Sequence, residues 1–217
     1  RSIIDKHIDQ QLQQGIIEPA QSAFAAILVI VKKRDGSTRC CVDYRSLNLI
    51  TKRDCYPLPR IDQCLDALGN NNCWFTVCDL RSGYYQVALA PEDRDKTAFV
   101  SHRGLHRYNV LPMGLSNAPS TFQRLMDMVM SGLLFETCLV YLDDIIIFSR
   151  TLGEHLQRLE EVLRRLVATG LKLKPSKCSV LQREVAFLGH VMTEEGIKTD
   201  PEKIRAVVEW PVPTCVR

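Results

Sequence analysis

Two adjacent carboxylates, Asp143 and Asp144, lie between the apolar runs 137–142 and 145–148, and they restrict the local fold. In a continuous strand successive side chains point to opposite faces, so neighbouring acids could not share a ligand. The chain must bend there. The arrangement expected is a β-hairpin with both acids in or beside a two-residue turn, where Asp tolerates unusual backbone angles and both groups crowd one sheet edge. Two carboxylates about 4 Å apart repel by about 4 kcal/mol at an effective dielectric of about 20. A divalent cation bound by oxygen ligands is the natural relief.

The remaining composition restricts the chain less. Its 217 residues suffice for a real core, and 46% hydrophobic with 24% charged residues is ordinary for a soluble globular protein. A net charge of +3 and a pI near 8.4 suit a polyanion partner without demanding one. The apolar run 24–31 is too short to span a bilayer and no signal-peptide pattern precedes it, so a cytoplasmic or nuclear protein is expected, neither secreted nor membrane-bound. The nine cysteines form no C-x-x-C pair and no zinc-finger spacing. Several, such as Cys138, lie within apolar runs, and they read as reduced core residues.

Along the chain, Ser2-x-x-Asp5 is a capping-box pattern followed by Ile4, Ile8 and Leu12 at helical spacing, with Gly15 able to close the helix. Residues 24–31 read as a buried strand, 34–37 as a turn and 39–44 as a returning strand. Lys32, Lys33, Arg34 and Arg39 thus stand near a hairpin tip, either a solvated loop or a phosphate clamp. Ile61, Cys64, Leu65 and Leu68 predict a short amphipathic helix ending at Gly69. Residues 74–80 read as a strand carrying Asp79 near its end, and 92–96 as a charged turn. Residues 97–100 and 107–110 form a second expected hairpin, and a turn-rich loop at 111–119 leads into a helix bearing Phe122, Leu125, Met126, Val129 and Met130. Thr151-x-x-Glu154 caps a long helix whose buried side is expected to hold Leu152, Leu156, Leu159, Leu163, Leu166 and Val167. Residues 185–192 pair with 196–198, and Asp200-Pro201 opens one more helix. No linker, repeat or low-complexity tract interrupts this order.

Asp79 and the Asp143/Asp144 pair each end or join an apolar strand, which lets three distant acids meet on one sheet edge. Such a set suits Mg²⁺, which prefers a few carboxylates plus water and phosphate oxygens. Two such ions can activate a hydroxyl and stabilise a leaving oxygen in an in-line phosphoryl transfer. A structural Ca²⁺ site would want a denser acidic loop, and a glycosidase pair needs two separated carboxyls in unlike environments.

Several ordered blocks carry a resemblance. Phe75-Thr76-Val77-Cys78-Asp79-Leu80-Arg81-Ser82-Gly83-Tyr84, Lys96-Thr97-Ala98-Phe99, the stretch from Met113 to Arg124, Tyr141-Leu142-Asp143-Asp144 and Phe187-Leu188-Gly189-His190 resemble the blocks of a reverse transcriptase. Cys41-Val42-Asp43-Tyr44-Arg45-Ser46-Leu47-Asn48 and Tyr56-Pro57-Leu58-Pro59 sharpen the likeness to the Ty3/gypsy class of LTR retrotransposons. The likeness spans nearly the whole chain.

The resemblance implies a mixed α/β (α+β) right-hand polymerase whose palm is an antiparallel sheet backed by helices. Fingers would span about 1–54 and 88–112, palm about 55–87 and 113–198, and the start of a thumb about 199–217. Asp79, Asp143 and Asp144 would be catalytic and bind two Mg²⁺, or Mn²⁺ as a substitute, with the Leu80 carbonyl as a further ligand. Lys33 and Arg39 would grip the incoming dNTP, Tyr84 would be the steric gate, and Met113 would line the nucleotide pocket where the class often has Phe and retroviruses Gln. Arg45 would lie near the template, Phe187, Leu188, Gly189 and His190 would form the primer grip, and Lys177 would donate a proton to pyrophosphate. Around 23–27 the prolines usual in the family are absent. The partners implied are a primed RNA or DNA template, dNTPs, and the RNase H and integrase regions of a larger Pol polyprotein, acting in a cytoplasmic virus-like particle or the nucleus. The rival readings are a catalytically silent, retroelement-derived nucleic-acid-binding module and a different palm enzyme such as an RNA-dependent RNA polymerase.

Overall fold

The computed structural model describes residues 2–32, 36, 38–69, 71–199, 205 and 209. Lys33, most of the turn expected at 34–37, most of the helix expected after Asp200, and Cys215 lie outside the described residues. In chain order the elements are α1 (Ser2–Gln13), β1 (Ile17–Pro19), β2 (Ala26–Lys32), β3 (Thr38–Asp43), α2 (Arg45–Ile50), α3 (Ile61–Leu68), β4 (Trp74–Asp79), α4 (Pro91–Arg94), β5 (Phe99–Ser101), β6 (Gly104–Tyr108), α5 (Ala118–Val129), β7 (Cys138–Tyr141), β8 (Asp144–Ser149), α6 (Leu152–Ala168), β9 (Ser179–Gln182), β10 (Glu184–Phe187), β11 (His190–Thr193) and β12 (Gly196–Thr199). Short 3-10 turns occupy Gly83–Gln86, Asp95–Thr97 and Pro175–Lys177. The chain packs as two units, residues 1–57 with 82–124, and residues 58–81 with 125–217.

The first unit is built on a five-stranded sheet in the order β1-β6-β5-β2-β3, antiparallel except for β2 with β5. Ile8 of α1 packs with Ile17, Leu28, Val42, Tyr44, Phe99 and Tyr108, and the Tyr44 hydroxyl donates to the Thr97 carbonyl at 2.8 Å. β2 is the strand expected, but it is not buried: Ile27, Val29, Ile30 and Val31 are exposed and only Leu28 is sunk in the core. Its pairing with β5 covers only Ala26 and Ile27, so most of the hairpin extends past that neighbour. The charged stretch 92–96 is helical rather than a simple turn, because Pro91 opens α4 and Glu92 and Asp93 occupy its first turn. The sequence did not reveal α2, whose first N–H, from Arg45, is accepted by Asp43 Oδ1 at 3.1 Å.

In the second unit β7-β8-β4-β9 form one sheet and β10-β11-β12 another. One face of the four-stranded sheet places Phe75, Leu139, Ile146 and Phe148 against Cys64 and Leu68 of α3 and Val185, Phe187 and Met192 of the smaller sheet. The other face carries Thr76, Ile145, Ile147 and Ser149, all buried, and is met by α6. Thr151 caps α6 by accepting the Glu154 N–H at 3.3 Å, as expected. Its buried face is only partly the one expected: Leu166 is buried as expected, but together with His155 and Val162, while Leu159 is half-buried and Leu152, Leu156, Leu163 and Val167 are exposed. The helix carries two apolar stripes, and burial follows the one containing His155. Of the cysteines described, Cys64, Cys78 and Cys138 are buried, Cys55 is exposed and the other four are partly exposed, so a core role fits three.

His155 is fully buried, and its hydrogen bonds run in one direction. The Ser149 hydroxyl donates to the Thr151 carbonyl at 3.0 Å, so Ser149 Oγ accepts from His155 Nδ1 at 2.9 Å. Nε2 then accepts the Thr76 hydroxyl at 2.8 Å, and Thr76 Oγ1 accepts the Leu181 N–H at 3.1 Å. This relay satisfies every member and selects one neutral tautomer. It also accounts for an irregularity in β9. Phe75 pairs with Gln182 and Val77 with Ser179, so β9 advances three residues where β4 advances two, and Leu181 takes a φ of 53°. The displaced Leu181 amide finds a side chain where the ladder offers no carbonyl.

Burial lowers the pKa of His155 below its ordinary 6.5. The unfolded chain therefore binds a proton that the folded chain refuses. The associated stability is complete above about pH 6.5 and is lost as pH falls through the folded value. Urea midpoints measured from pH 7.5 to 5 should fall for the wild type. His155→Gln should be less stable by about 1–3 kcal/mol at neutral pH and show a shallower fall. Equal slopes in the two proteins would refute the assignment.

Candidate active site

β4 and β8 pair in a register that places Asp79 directly opposite Asp144, and Tyr141 of β7 pairs with Asp144 on its other side. The three side chains form one row on one face of the sheet, with Cβ atoms of opposed residues about 4.5–5.5 Å apart. Leu142 and Asp143 make the two-residue turn between β7 and β8, and the Leu80 N–H donates to the Asp143 carbonyl at 3.3 Å. The hairpin is the one expected, with one correction: the left-handed residue is Leu142, with φ 56°, and not an aspartate. Asp143 is exposed and Asp144 partly buried. Burial, then the charges of Asp143 and Asp79, push the Asp144 carboxyl up from its ordinary value, which is the repulsion the sequence implied.

A cation already answers part of that repulsion. Lys177, in the 3-10 turn Pro175–Lys177, donates from Nζ to Asp79 Oδ2 at 2.7 Å. This bond, ahead of the Asp143 and Asp144 charges, raises the lysine's pKa. The segment is held to the end of β4 by Lys174 N–H to the Asp79 carbonyl at 2.8 Å and Arg81 N–H to the Lys172 carbonyl at 2.9 Å. On the opposite face the buried Cys78 thiol meets that of Cys178, and burial together with that neighbour pushes Cys78 up to about 12. Among the described residues no three His, Cys, Asp or Glu side chains are gathered tightly enough to hold a metal ion as they lie. The donors nevertheless fit a hard divalent cation in kind, being all oxygen and mutually repelling.

In the first unit, the Arg39 guanidinium contacts Met113 Sδ, which brings two of the expected nucleotide-pocket residues together. Tyr84 stands in the 3-10 turn Gly83–Gln86, its ring edge-on to Phe122 with centroids 5.2 Å apart. Asn48 holds the loop bearing Met113: its Nδ2 donates to the Gly114 carbonyl at 2.8 Å and its Oδ1 accepts the Ser116 N–H at 2.8 Å. Gly114 has a φ of 98°, and a Cβ there would meet the Val42 carbonyl at 3.6 Å and the Tyr44 ring at 3.5 Å. Asn117 accepts the Asp54 N–H at 3.1 Å and donates to the Lys52 carbonyl at 2.9 Å, fastening the loop after α2. Sequence reasoning missed these asparagines as positioning residues; their signal was the polar residue inside each quoted block. Arg45 is highly exposed and holds Asp43 through both carboxylate oxygens, which keeps the Asp43 carboxyl at about 2.

The expected primer-grip residues form the β10–β11 turn. Phe187 is buried in the core and pairs with His190. Leu188 and Gly189 have φ of 48° and 75°, the signature of a type I′ hairpin. His190 Nδ1 lies 3.2 Å from the Leu188 carbonyl. Among the described residues, no helix is long and apolar enough to cross a membrane.

Residues 31–192 match the family described as reverse transcriptase (RNA-dependent DNA polymerase). Over 97% of its length the chain is 43% identical to the retrovirus-related Pol polyprotein from transposon 297 of Drosophila melanogaster. Over 98% it is 36% identical to that from transposon gypsy of the same organism, and over 97% it is 33% identical to the transposon Tf2-3 polyprotein of Schizosaccharomyces pombe. It covers 20%, 21% and 16% of those relatives, about a fifth of their length. The foamy viral protease-reverse transcriptase solved with double-stranded DNA is similar at 27% identity and TM-score 0.88, over 97% of this chain and 37% of that one. A foamy viral protease-reverse transcriptase solved with RNA/DNA hybrid gives 26% identity and TM-score 0.87, over 98% of this chain and 28% of that one.

A leucine at positive φ costs about 1–2 kcal/mol relative to the right-handed region. Leu142→Gly should therefore keep or raise the denaturation midpoint, whereas the β-branched Leu142→Val should lower stability by about 1–3 kcal/mol. A valine variant as stable as the glycine variant would refute strain at this turn.

Proposed function

The chain belongs to the reverse transcriptase (RNA-dependent DNA polymerase) family, and from that premise we propose that it is the fingers and palm of a Ty3/gypsy-type retrotransposon polymerase. It adds deoxynucleotides to a primer 3′ end on RNA or DNA template. The observation that carries this reading is the register placing Asp79 opposite Asp144 with Asp143 in the adjoining turn. Asp79, Asp143, Asp144 and the Leu80 carbonyl would hold two Mg²⁺, or Mn²⁺ in their place. When bound, such ions supply charge neutralisation to the triphosphate and activate the primer hydroxyl.

The chain's own groups then have separable roles. The three carboxylates concentrate negative charge at one sheet edge and orient what binds there. Lys177 keeps its proton at neutral pH, since its pKa is raised, which suits a proton donor to pyrophosphate. Arg39 matches the bidentate geometry of phosphate oxygens, with Met113 beside it, and Lys33 shares that role. Tyr84, braced by Phe122, presents a bulky ring beneath the sugar. Arg45 contacts template, and Phe187 to His190 aim the primer end from a rigid turn. The whole acts within a larger Pol polyprotein that includes RNase H and integrase, in a cytoplasmic particle or the nucleus.

Primer extension with Mg²⁺ and dNTPs tests this, in a polypeptide that also carries the segment following residue 217. Asp143→Asn should reduce extension by about a hundredfold or more and leave primer–template affinity unchanged. Undiminished extension would refute the metal assignment, and binding without extension in the wild type would establish the silent module instead. Tyr84→Ala should admit ribonucleotides that the wild type rejects. If both proteins discriminate equally, the gate lies elsewhere.

A further inference from the structure

The edge where β9 approaches β4 carries two side-chain pairs back to back. Val77 pairs with Ser179, and Cys178 keeps extended backbone angles, φ −87° and ψ 136°, so one further step along the ladder sets Cys178 opposite Cys78. Side chains alternate between faces: Lys177 reaches Asp79 on the acidic face, and Cys178 meets Cys78 on the other. Opposed residues of an antiparallel pair have Cα atoms about 4.5–5.5 Å apart, inside the range of about 4.4–6.8 Å that a disulfide spans. The two thiols are reduced and unequally reachable, Cys78 being buried and Cys178 partly exposed. Cys178 Sγ is also anchored, donating to the Lys174 carbonyl at 3.3 Å.

We propose that Cys78 and Cys178 are a peroxide-reactive dithiol whose disulfide fastens Lys177 onto Asp79 and so closes the acidic edge. The chemistry balances in two steps. Cys178 sulfur attacks a peroxide oxygen, the O–O bond breaks, and the products are Cys178 sulfenic acid and water (or an alcohol from an organic peroxide). Cys78 sulfur then attacks the sulfenic sulfur, the S–O bond breaks, and the hydroxyl leaves as water with the Cys78 proton. Both sulfurs are oxidised and the peroxide is reduced. Fixed juxtaposition lets the buried thiol compete as the resolving group. The bond ties the 3-10 turn to the last residues of β4 at the position next to Lys177, so the turn can no longer carry the ammonium away from Asp79 to make room for another cation. That consequence, unlike the disulfide itself, rests on the polymerase reading above.

The full 217-residue chain is treated with hydrogen peroxide, its remaining thiols are alkylated after denaturation, and peptides are mapped before and after dithiothreitol. The expected result is a Cys78–Cys178 peptide pair that dithiothreitol dissolves. Cys178→Ser, which keeps the bond to the Lys174 carbonyl, should give no pair and leave Cys78 alkylated, and Cys78→Ala should likewise leave Cys178 unpaired. In primer extension, run in the same longer polypeptide used to test the polymerase reading, oxidation should lower the wild-type rate by about tenfold or more, since a misplaced catalytic group costs up to about a hundredfold, and dithiothreitol should restore it; Cys178→Ser should be insensitive. Recovery of both thiols in alkylated form, or their pairing with other cysteines, would overturn the proposal, as would equal loss of extension in wild type and Cys178→Ser. Absence of extension in the reduced wild type would count against the polymerase reading alone, and the peptide map would still decide the dithiol.

Discussion

The second unit depends on a contact that opposes folding, the pairing of Asp79 with Asp144 across two central strands. Like charges directly opposed in a sheet are destabilising, and Asp143 adds a third in the turn. What offsets them is the apolar body of the same strands. Phe75, Ile145, Ile146 and Ile147 are fully buried, each worth about 1.5–3 kcal/mol against exposure. The acids occupy the last position of β4 and the first of β8, so the core is interrupted only at its rim. Local cost at a rim, held by consistent packing elsewhere, is the pattern expected of a site kept for chemistry.

That register is secured from the other face. A slip of one residue in β4 against β8 would move Asp79 off Asp144 and turn every side chain of the strand over. It would also carry Thr76 away from His155, breaking a relay that reaches from Leu181 through α6 to Thr151. Apolar contacts tolerate small displacements, whereas a fully satisfied buried polar chain has one geometry. His155 thus specifies β4 and the bulge of β9 together, and with them the place where Lys177 meets Asp79.

Much of this was legible in the sequence where a pattern had one physical solution. Adjacent acids between apolar runs must turn, and Thr151 three residues before Glu154 must cap. Patterns with two solutions were not legible. The α6 leucines announced an apolar stripe, but His155 belongs to the buried stripe and Leu156 to the exposed one, and only the hydroxyls of Thr76 and Ser149 decide between them. In β2, apolar content indicated burial, yet burial requires a neighbour, and β5 is too short to supply it. Asp was the natural occupant of an unusual turn angle; Leu142 holds it because its neighbours must be the acids. The meeting of Lys177 with Asp79 joins residues 98 apart in sequence and depends on irregularities in β9 that carry no periodic signal.

Those irregularities bear on how the edge works. Between the bridge of Leu80 with Leu173 and the pairing of Val77 with Ser179, β4 advances three residues and its partner six. The surplus forms the turn Pro175–Lys177, which closes on itself through Lys177 N–H to the Lys174 carbonyl and Cys178 N–H to the Pro175 carbonyl. Although Lys174 holds the segment to the Asp79 carbonyl, Lys177 itself meets β4 through its side chain and can leave Asp79 without breaking a ladder bond. Segments with few bonds to the rest of a structure open at low cost. On the proposed polymerase reading, a cation carried on such a turn would neutralise the acids and could give them up to a divalent ion, whereas a lysine on a continuous strand could do only the first.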